Sequence, residues 1–278
     1  MDLADRKVLR PLLERHGIVL AKTYGQHFLV DRKALDRILE AAFPEKRRDQ
    51  DLLATGYSPT GLVVEVGPGA GTLTIELAKR CETVIAIERD QRFIPVLKVT
   101  LADFDNVSIV QADAMKTGFS DLLTTHHSPL TSRYSIVSNL PYEISTPFLW
   151  KALHDEPVRP SEIIVLLQDE VVDRALEKRP KMNILSLLVA LSGKADKPTQ
   201  VGKASFFPPP RVESAVLRIR DIKPELGAAE RRALALAKRA FVAPRKKLSN
   251  TIGDQAGAFG DKRPAELGAE EWLTLVSQ

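Results

Sequence analysis

The 278-residue chain has a single cysteine, Cys81, so it forms no disulfide of its own. It also lacks the paired Cys/His spacing of a structural zinc site, and no metal is expected. Its longest apolar stretch, about ILSLLVAL, is too short to span a bilayer. The opening MDLADRKVLR carries no apolar segment of secretory type. A cytoplasmic protein with no membrane partner is the expectation. Aromatic residues make up only 6%, so each exposed ring is a candidate for binding work. There is no internal repeat and no low-complexity segment.

What is present is a hydrophobic fraction of 44%, enough for a sizeable core, and a net charge of +4. Mild basicity suits a polyanionic partner without proving one. The amino-terminal segment 3–16 reads as a charged amphipathic helix. TYGQHFLVD (23–31) reads as a loop, PEKRRDQD (44–51) as a solvated charged loop, and 32–42 as a helix with Asp31 as its N-cap. Strands and helices then alternate: LVVEVG, TVIAIERD, VSIVQAD, YSIVSN, EIIVLLQ and ESAVLRIR are strands, most of them separated by helical segments. That order implies parallel pairing with right-handed crossovers. After about residue 220 only helical patterns remain, which divides the chain into an α/β domain, 1–220, and a small helical domain, 221–278.

VVEVGPGAGTL places Gly67, Gly69 and Gly71 between a strand and a helix, after an acid, Glu65. Glycine permits the tight turn and a close approach of backbone to ligand. The spacing G-x-G-x-G is not the G-x-G-x-x-G of a dinucleotide site, and no lysine follows as in a P-loop. Glu88 closes the next strand, where a carboxylate can accept from ribose hydroxyls. Asp113 closes the third, where it could accept from an adenine amine. Either acid alone could simply cap a helix. The three strand ends together describe a nucleoside cradle, and the pattern resembles S-adenosylmethionine-dependent methyltransferases.

The fourth strand ends in Asn139-Leu140-Pro141-Tyr142. The exocyclic nitrogen of adenine is a poor nucleophile because its lone pair is delocalised into the ring. The Asn139 side-chain oxygen and the Leu140 carbonyl could accept its two N–H groups and aim the lone pair at a methyl carbon. Pro141 would fix the loop, and Tyr142 offers a face for a flipped base. The plain alternative is a turn with Asn as a cap and Tyr as packing.

With these blocks in place, the chain resembles the ribosomal RNA adenine dimethyltransferase family. The marks are GQHFLVD (25–31), VVEVGPGAGTLT (63–74), VIAIERD (84–90), VQADAM (110–115), NLPYEISTPFL (139–149), LLQDEVVDRAL (166–176), FFPPPRVESAVLRI (206–219) and FVAPRKKLSN (241–250). The resemblance implies a Rossmann-like methyltransferase domain with a mostly parallel seven-stranded sheet, and a small all-helical carboxyl-terminal domain. It also implies transfer of two methyl groups to each of two adjacent adenosines near the 3′ end of small-subunit ribosomal RNA, during ribosome assembly. Donor-contacting positions correspond to His27, Leu29, Gly67, Gly69, Gly71, Glu88, Asp113 and Asn139, and Phe206 to an aromatic that sandwiches the target base opposite Tyr142.

There are departures. His27 stands where the family usually has Asn, and MNILS (182–186) replaces a Tyr-Gly-x-Leu-Ser block. A sister branch that methylates a large-subunit adenosine usually reads Asn-Ile-Pro-Tyr, so Leu140 favours the small-subunit branch. A nucleic-acid-binding factor that keeps the fold without methylating is the other alternative. Arg231, Arg232, Lys238, Arg239, Arg245, Lys246 and Lys247 lie in a stretch without an acid and form a candidate RNA surface. Lys178, Arg179 and Lys181 are weaker candidates. His126 and His127 suggest no metal, and Trp150 and Trp272 fit helix cores. Nothing in the sequence demands more than a monomer.

Overall fold

The computed structural model describes residues 1–18, 26–44, 61–126 and 133–277. Most of the charged loop 44–51, and Thr23, Tyr24, Gly25 and His127, lie outside the described residues.

Five apolar, β-branched-rich segments form the parallel part of a central sheet: β2 (Leu62–Val66), β3 (Thr83–Glu88), β4 (Val107–Gln111), β5 (Tyr134–Asn139) and β6 (Glu162–Gln168). The chain runs outward through β2, β3 and β4, then returns to place β5 on the other side of β2, giving the order β4-β3-β2-β5-β6. The crevice beyond β2 and β5 is therefore a topological switch point, where ligands of open α/β sheets bind. Beyond β6 the sheet turns antiparallel. β10 (Ser214–Arg220) pairs β6 in register Ile219↔Ile163, and the short strands β7 (Lys194–Asp196) and β8 (Gln200–Val201) pair β10. The sheet is mostly parallel, as expected, but β8 makes it eight-stranded. The reversal at β10 was not legible in the strand–helix alternation, because the two-residue β8 carries no periodic pattern of its own.

A second, two-stranded sheet was also not foreseen. β1 (Phe28–Leu29) pairs antiparallel with β9 (Phe206–Phe207), Leu29 opposite Phe206. It fastens the amino-terminal part of the chain to the FFPPP segment beside the switch point.

Side chains alternate across the pleat. Val64, Ile136, Ile163 and Leu217 enter a core shared with the later helices. Val63, Val137, Ile164 and Val216 enter the opposite core, under α2 (Arg32–Ala42). Asp31 caps α2 as expected, accepting from the Lys33 and Ala34 N–H groups. It also accepts from the Ser205 hydroxyl at 2.6 Å, which ties the helix start to the residue before β9. The amino-terminal helix α1 (Arg6–Arg15) buries Leu9, Leu12 and Leu13 against Phe28, Phe93 and Leu97. Each such leucine contributes about 1.5–3 kcal/mol.

α3 (Thr72–Ala78), α4 (Ile94–Thr100), α5 (Phe119–His126), α6 (Ser145–Trp150), α7 (Asp169–Leu176) and α8 (Ile184–Ser192) complete the layers. The departure at MNILS has a local reason for its sequence. Asn183 caps α8, accepting from the Leu185 and Ser186 N–H groups, while the Ser186 hydroxyl accepts from the Asn183 N–H. Residues beyond β10 form α9 (Ala228–Ala240), α10 (Ser249–Ile252) and α11 (Ala269–Val276), with no further strand among the described residues. Leu234 and Trp272 from these helices join the core that Leu187 and Leu217 occupy. Trp272 is fully buried as its sequence context implied, whereas Trp150 is only half-buried. No helix among the described residues is long and apolar enough to cross a membrane.

Candidate active site

The ends of β2 and β5 are held together by a side chain. Their ladder stops at Val64↔Ile136, and the Val66 N–H beyond it donates to the Ser138 hydroxyl at 2.8 Å. The strands part there, and a cavity of about 500 Å³ opens over the carboxyl edge of the sheet. Gly67 and Gly69 of the turn line it, both with positive φ, 71° and 57°. A Cβ on Gly69 would lie 2.9 Å from the Phe28 ring, and one on Gly67 3.2 Å from Pro141. Glycine is thus required on steric grounds: the turn is pressed between β1 and the Asn-Leu-Pro-Tyr segment. Gly71 is not in the cavity wall. It is the left-handed N-cap of α3, facing Thr100 and Leu97, so its role is to start the helix.

Glu88 closes β3 and faces the cavity. Its two oxygens accept from the Gly69 N–H at 3.1 Å and the Asp90 N–H at 2.8 Å, and each keeps a further lone pair. Burial raises its pKa despite those hydrogen bonds. Asp113 also lines the cavity. Its Oδ1 accepts from the Met115 N–H and so braces a turn, with no helix starting there for it to cap, while Oδ2 lies 3.7 Å from the Arg89 guanidinium.

Glu65 was noted in the sequence only as the acid before the turn. Its signal was a carboxylate inside an otherwise apolar strand, LVVEV. It is 1% exposed, lines the cavity, and its Oε2 has no hydrogen-bond partner among the described residues. Burial, reinforced by the nearby Glu88 charge, pushes it up to about 8. An orphan buried acceptor is costly unless a ligand completes it.

On the other wall, Asn139 Nδ2 donates to the His27 carbonyl at 3.2 Å, which turns Oδ1 away from that carbonyl. The His27 ring donates from Nδ1 to the Pro208 carbonyl at 2.8 Å, so that nitrogen carries a proton. The ring lies 5.5 Å from that of Tyr142, tilted by 31°. Leu29 contributes from β1, Leu140 is 1% exposed, and Pro141 starts the turn that holds Tyr142. The Tyr142 hydroxyl is fixed by Ser214 Oγ of β10 at 2.6 Å.

Phe206 is a correction. It is 3% exposed and packs in the core under α2, not in the cavity wall. The alternation of β9 points it inward with Leu29, its cross-strand neighbour, and leaves Phe207 outward, where the Arg6 guanidinium sits 4.1 Å from its ring. Phe206 is therefore not placed to sandwich a base against Tyr142; among the described residues the ring found beside Tyr142 is that of His27.

The candidate RNA residues are exposed on and after α9. Ala233, Leu234 and Ala237 bury the other side of that helix. Several of the cations are already engaged. Arg231 donates to the Leu226 and His154 carbonyls, Arg232 to that of Val276, and Arg239 to Gln255. Lys247 pairs with Asp261 at 2.8 Å, and Lys238 covers the Trp150 ring. Arg245 and Lys246 stand exposed in the following turn. Among the described residues no His/Cys/Asp/Glu group could hold a metal ion.

A Rossmann-like sheet with this turn and these strand-end groups defines the class as an α/β methyltransferase. A model of the ribosomal RNA adenine dimethylase family matches residues 19–262, and the chain belongs to that family. It is 34% identical over 277 residues to the ribosomal RNA small subunit methyltransferase A of Staphylococcus epidermidis, covering 98% of this chain and 87% of that one. Among solved structures it is similar to the 23S rRNA methyltransferase ErmE, with 25% identity and a TM-score of 0.66 over 90% of this chain and 98% of that one. A dimethyladenosine transferase from Plasmodium falciparum shares the fold, at 22% identity and a TM-score of 0.67 over 90% and 96% of the two chains.

Proposed function

We propose that the protein transfers methyl groups from S-adenosylmethionine to the N6 amines of two adjacent adenosines near the 3′ end of small-subunit ribosomal RNA, giving N6,N6-dimethyladenosines during ribosome assembly. The observation that carries this reading is the contact of the glycine turn with the Asn-Leu-Pro-Tyr segment, Gly67 against Pro141. Donor and acceptor sites then share one wall.

The cavity residues fit the donor. Glu88 has lone pairs for ribose hydroxyls, Asp113 for an adenine amine, and the orphaned Glu65 oxygen for a cationic or N–H group. When bound, S-adenosylmethionine supplies an electrophilic methyl carbon. The protein's part is to hold the target nitrogen against it. Asn139 Oδ1 and the Leu140 carbonyl accept the two N–H groups and favour a pyramidal nitrogen, while the Tyr142 face holds the flipped base. No general base is required, because the alkylated nitrogen is cationic and sheds its proton readily. Rate comes from positioning and electrostatics.

We assign residues 1–220 to the catalytic domain and 221–278 to a helical RNA-binding domain, with the small-subunit RNA or its precursor particle as partner and a monomer as the working form. The basic face of α9 and the turn after it supply phosphate contacts that position RNA without reading its sequence. A large-subunit substrate is the second reading, supported by the similarity to ErmE at lower identity. Tritiated donor separates them. Label entering small subunits from cells lacking the protein is expected; label entering large subunits, or neither, contradicts the assignment.

A further inference from the structure

A second concavity lies outside the donor cavity. It is an open groove of about 700 Å³ between the α/β part and α9, with Met115, Thr146, Pro147, Trp150, Ile184 and Lys238 in its walls. Its position follows from elements already described. Met115 is two residues beyond Asp113, and Thr146 lies in the first turn of the helix that leaves the Tyr142 turn. Lys238 comes from the basic face of α9. The groove therefore connects the rim that holds the target base with the surface that meets phosphates.

Its chemistry is a half-buried indole under a cation. Lys238 Nζ lies 4.0 Å from the Trp150 ring centroid, and His154 meets the ring edge-on at 5.4 Å. The other charges at the groove are spent internally. Lys151 pairs with Glu156 at 2.8 Å, and the Asp155 carboxylate takes the His154 Nδ1 at 2.7 Å. Among the described residues Lys238 has no carboxylate partner. An ammonium resting on an accessible ring holds it only weakly. A nucleobase stacks on such a ring more strongly, and the displaced ammonium is then placed to meet the phosphate of the same nucleotide.

We propose that this groove takes an unstacked nucleotide of the RNA next to the target adenosine, its base on Trp150 and its phosphate on Lys238. The inference rests on the RNA-methylation reading and adds a second base contact to it. Such a contact orients the strand so that the neighbouring adenosine reaches Tyr142.

The protein carries its own reporter. It has two tryptophans, Trp150 at the groove and Trp272 buried in the core, and the Trp150→Phe variant assigns any emission change on ligand addition to one of them. The probe is a single-stranded hexa-adenylate, with binding followed independently by anisotropy of a labelled copy. Saturating hexa-adenylate is expected to quench the emission. Trp150→Phe should remove that response while retaining most affinity. Trp150→Leu and Lys238→Ala should each weaken binding about tenfold, all three variants keeping wild-type affinity for S-adenosylmethionine. Unchanged emission at saturation by anisotropy, which a groove meant for a protein segment would give, overturns the proposal. So does unchanged RNA affinity in both Trp150→Leu and Lys238→Ala. A wild-type protein that binds no RNA at all in low salt removes the methylation reading itself, and is distinguishable because anisotropy is then flat.

Discussion

Asn139 at the end of β5 donates its side-chain amide to the backbone carbonyl of His27, 3.2 Å away. The bond fixes which face of the Asn139 side chain is an acceptor. Because His27 is itself tied to Pro208 through its ring, the acceptor wall is braced by β1 and β9, segments far apart in sequence.

Replacing Glu88 with Ala is expected to lower S-adenosylmethionine affinity by at least about tenfold, since hydrogen bonds to a charged group contribute about 1.5–3 kcal/mol. Equilibrium dialysis of labelled donor measures it. Unchanged affinity would refute the ribose contact.

Tyr142 separates two effects. Tyr142→Phe removes the hydroxyl bond to Ser214 and should cost about 1 kcal/mol of stability while sparing most activity. Tyr142→Ala removes the stacking face and should lower turnover on RNA much further. Equal activity in the two variants would show that the ring does not hold the base.

Glu65 makes stability pH-dependent in a defined direction. Its folded pKa is raised to about 8, so the protonated form is the one the fold favours. Its contribution is fully present below the ordinary carboxylate range and is lost as pH rises through about 8. Glu65→Gln, neutral at every pH, should therefore raise the melting temperature relative to wild type at pH 9, by at least about 2 °C, and change it little at pH 5. A variant less stable than wild type at pH 9 would contradict the assigned protonation.

The exposed turn after α9 tests the RNA surface. Arg245→Ala with Lys246→Ala should weaken RNA binding and reduce the slope of log affinity against log salt by about 1.4–1.8. An unchanged slope would assign these residues to a solvated face.

Much of this architecture was legible in the sequence because its signals are local. The six main strands declare themselves through short apolar runs, most of them rich in β-branched residues. The glycine turn and the Asn-Leu-Pro-Tyr rim sit at strand ends where topology brings them together. Asp31 was readable as a cap from its place before an amphipathic run. What was not legible depends on tertiary pairing. Phe206 and Phe207 are adjacent rings, and only the register with β1 decides that the first faces the core and the second faces outward. Trp150 looked like a core residue because α6 is apolar. Its accessibility follows from where α9 leaves a gap, which no local pattern encodes. The reversal that sets β10 antiparallel to β6 comes after the two- and three-residue strands β8 and β7, which carry no periodicity to announce it.

The central claim is that Asn139 holds the target nitrogen for methyl transfer. Single-turnover methylation of small subunits by Asn139→Ala, with donor affinity measured on the same preparation, tests it most directly. Turnover is expected to fall by at least about 10²–10³-fold while donor affinity is partly retained. Wild-type turnover by this variant would contradict the account.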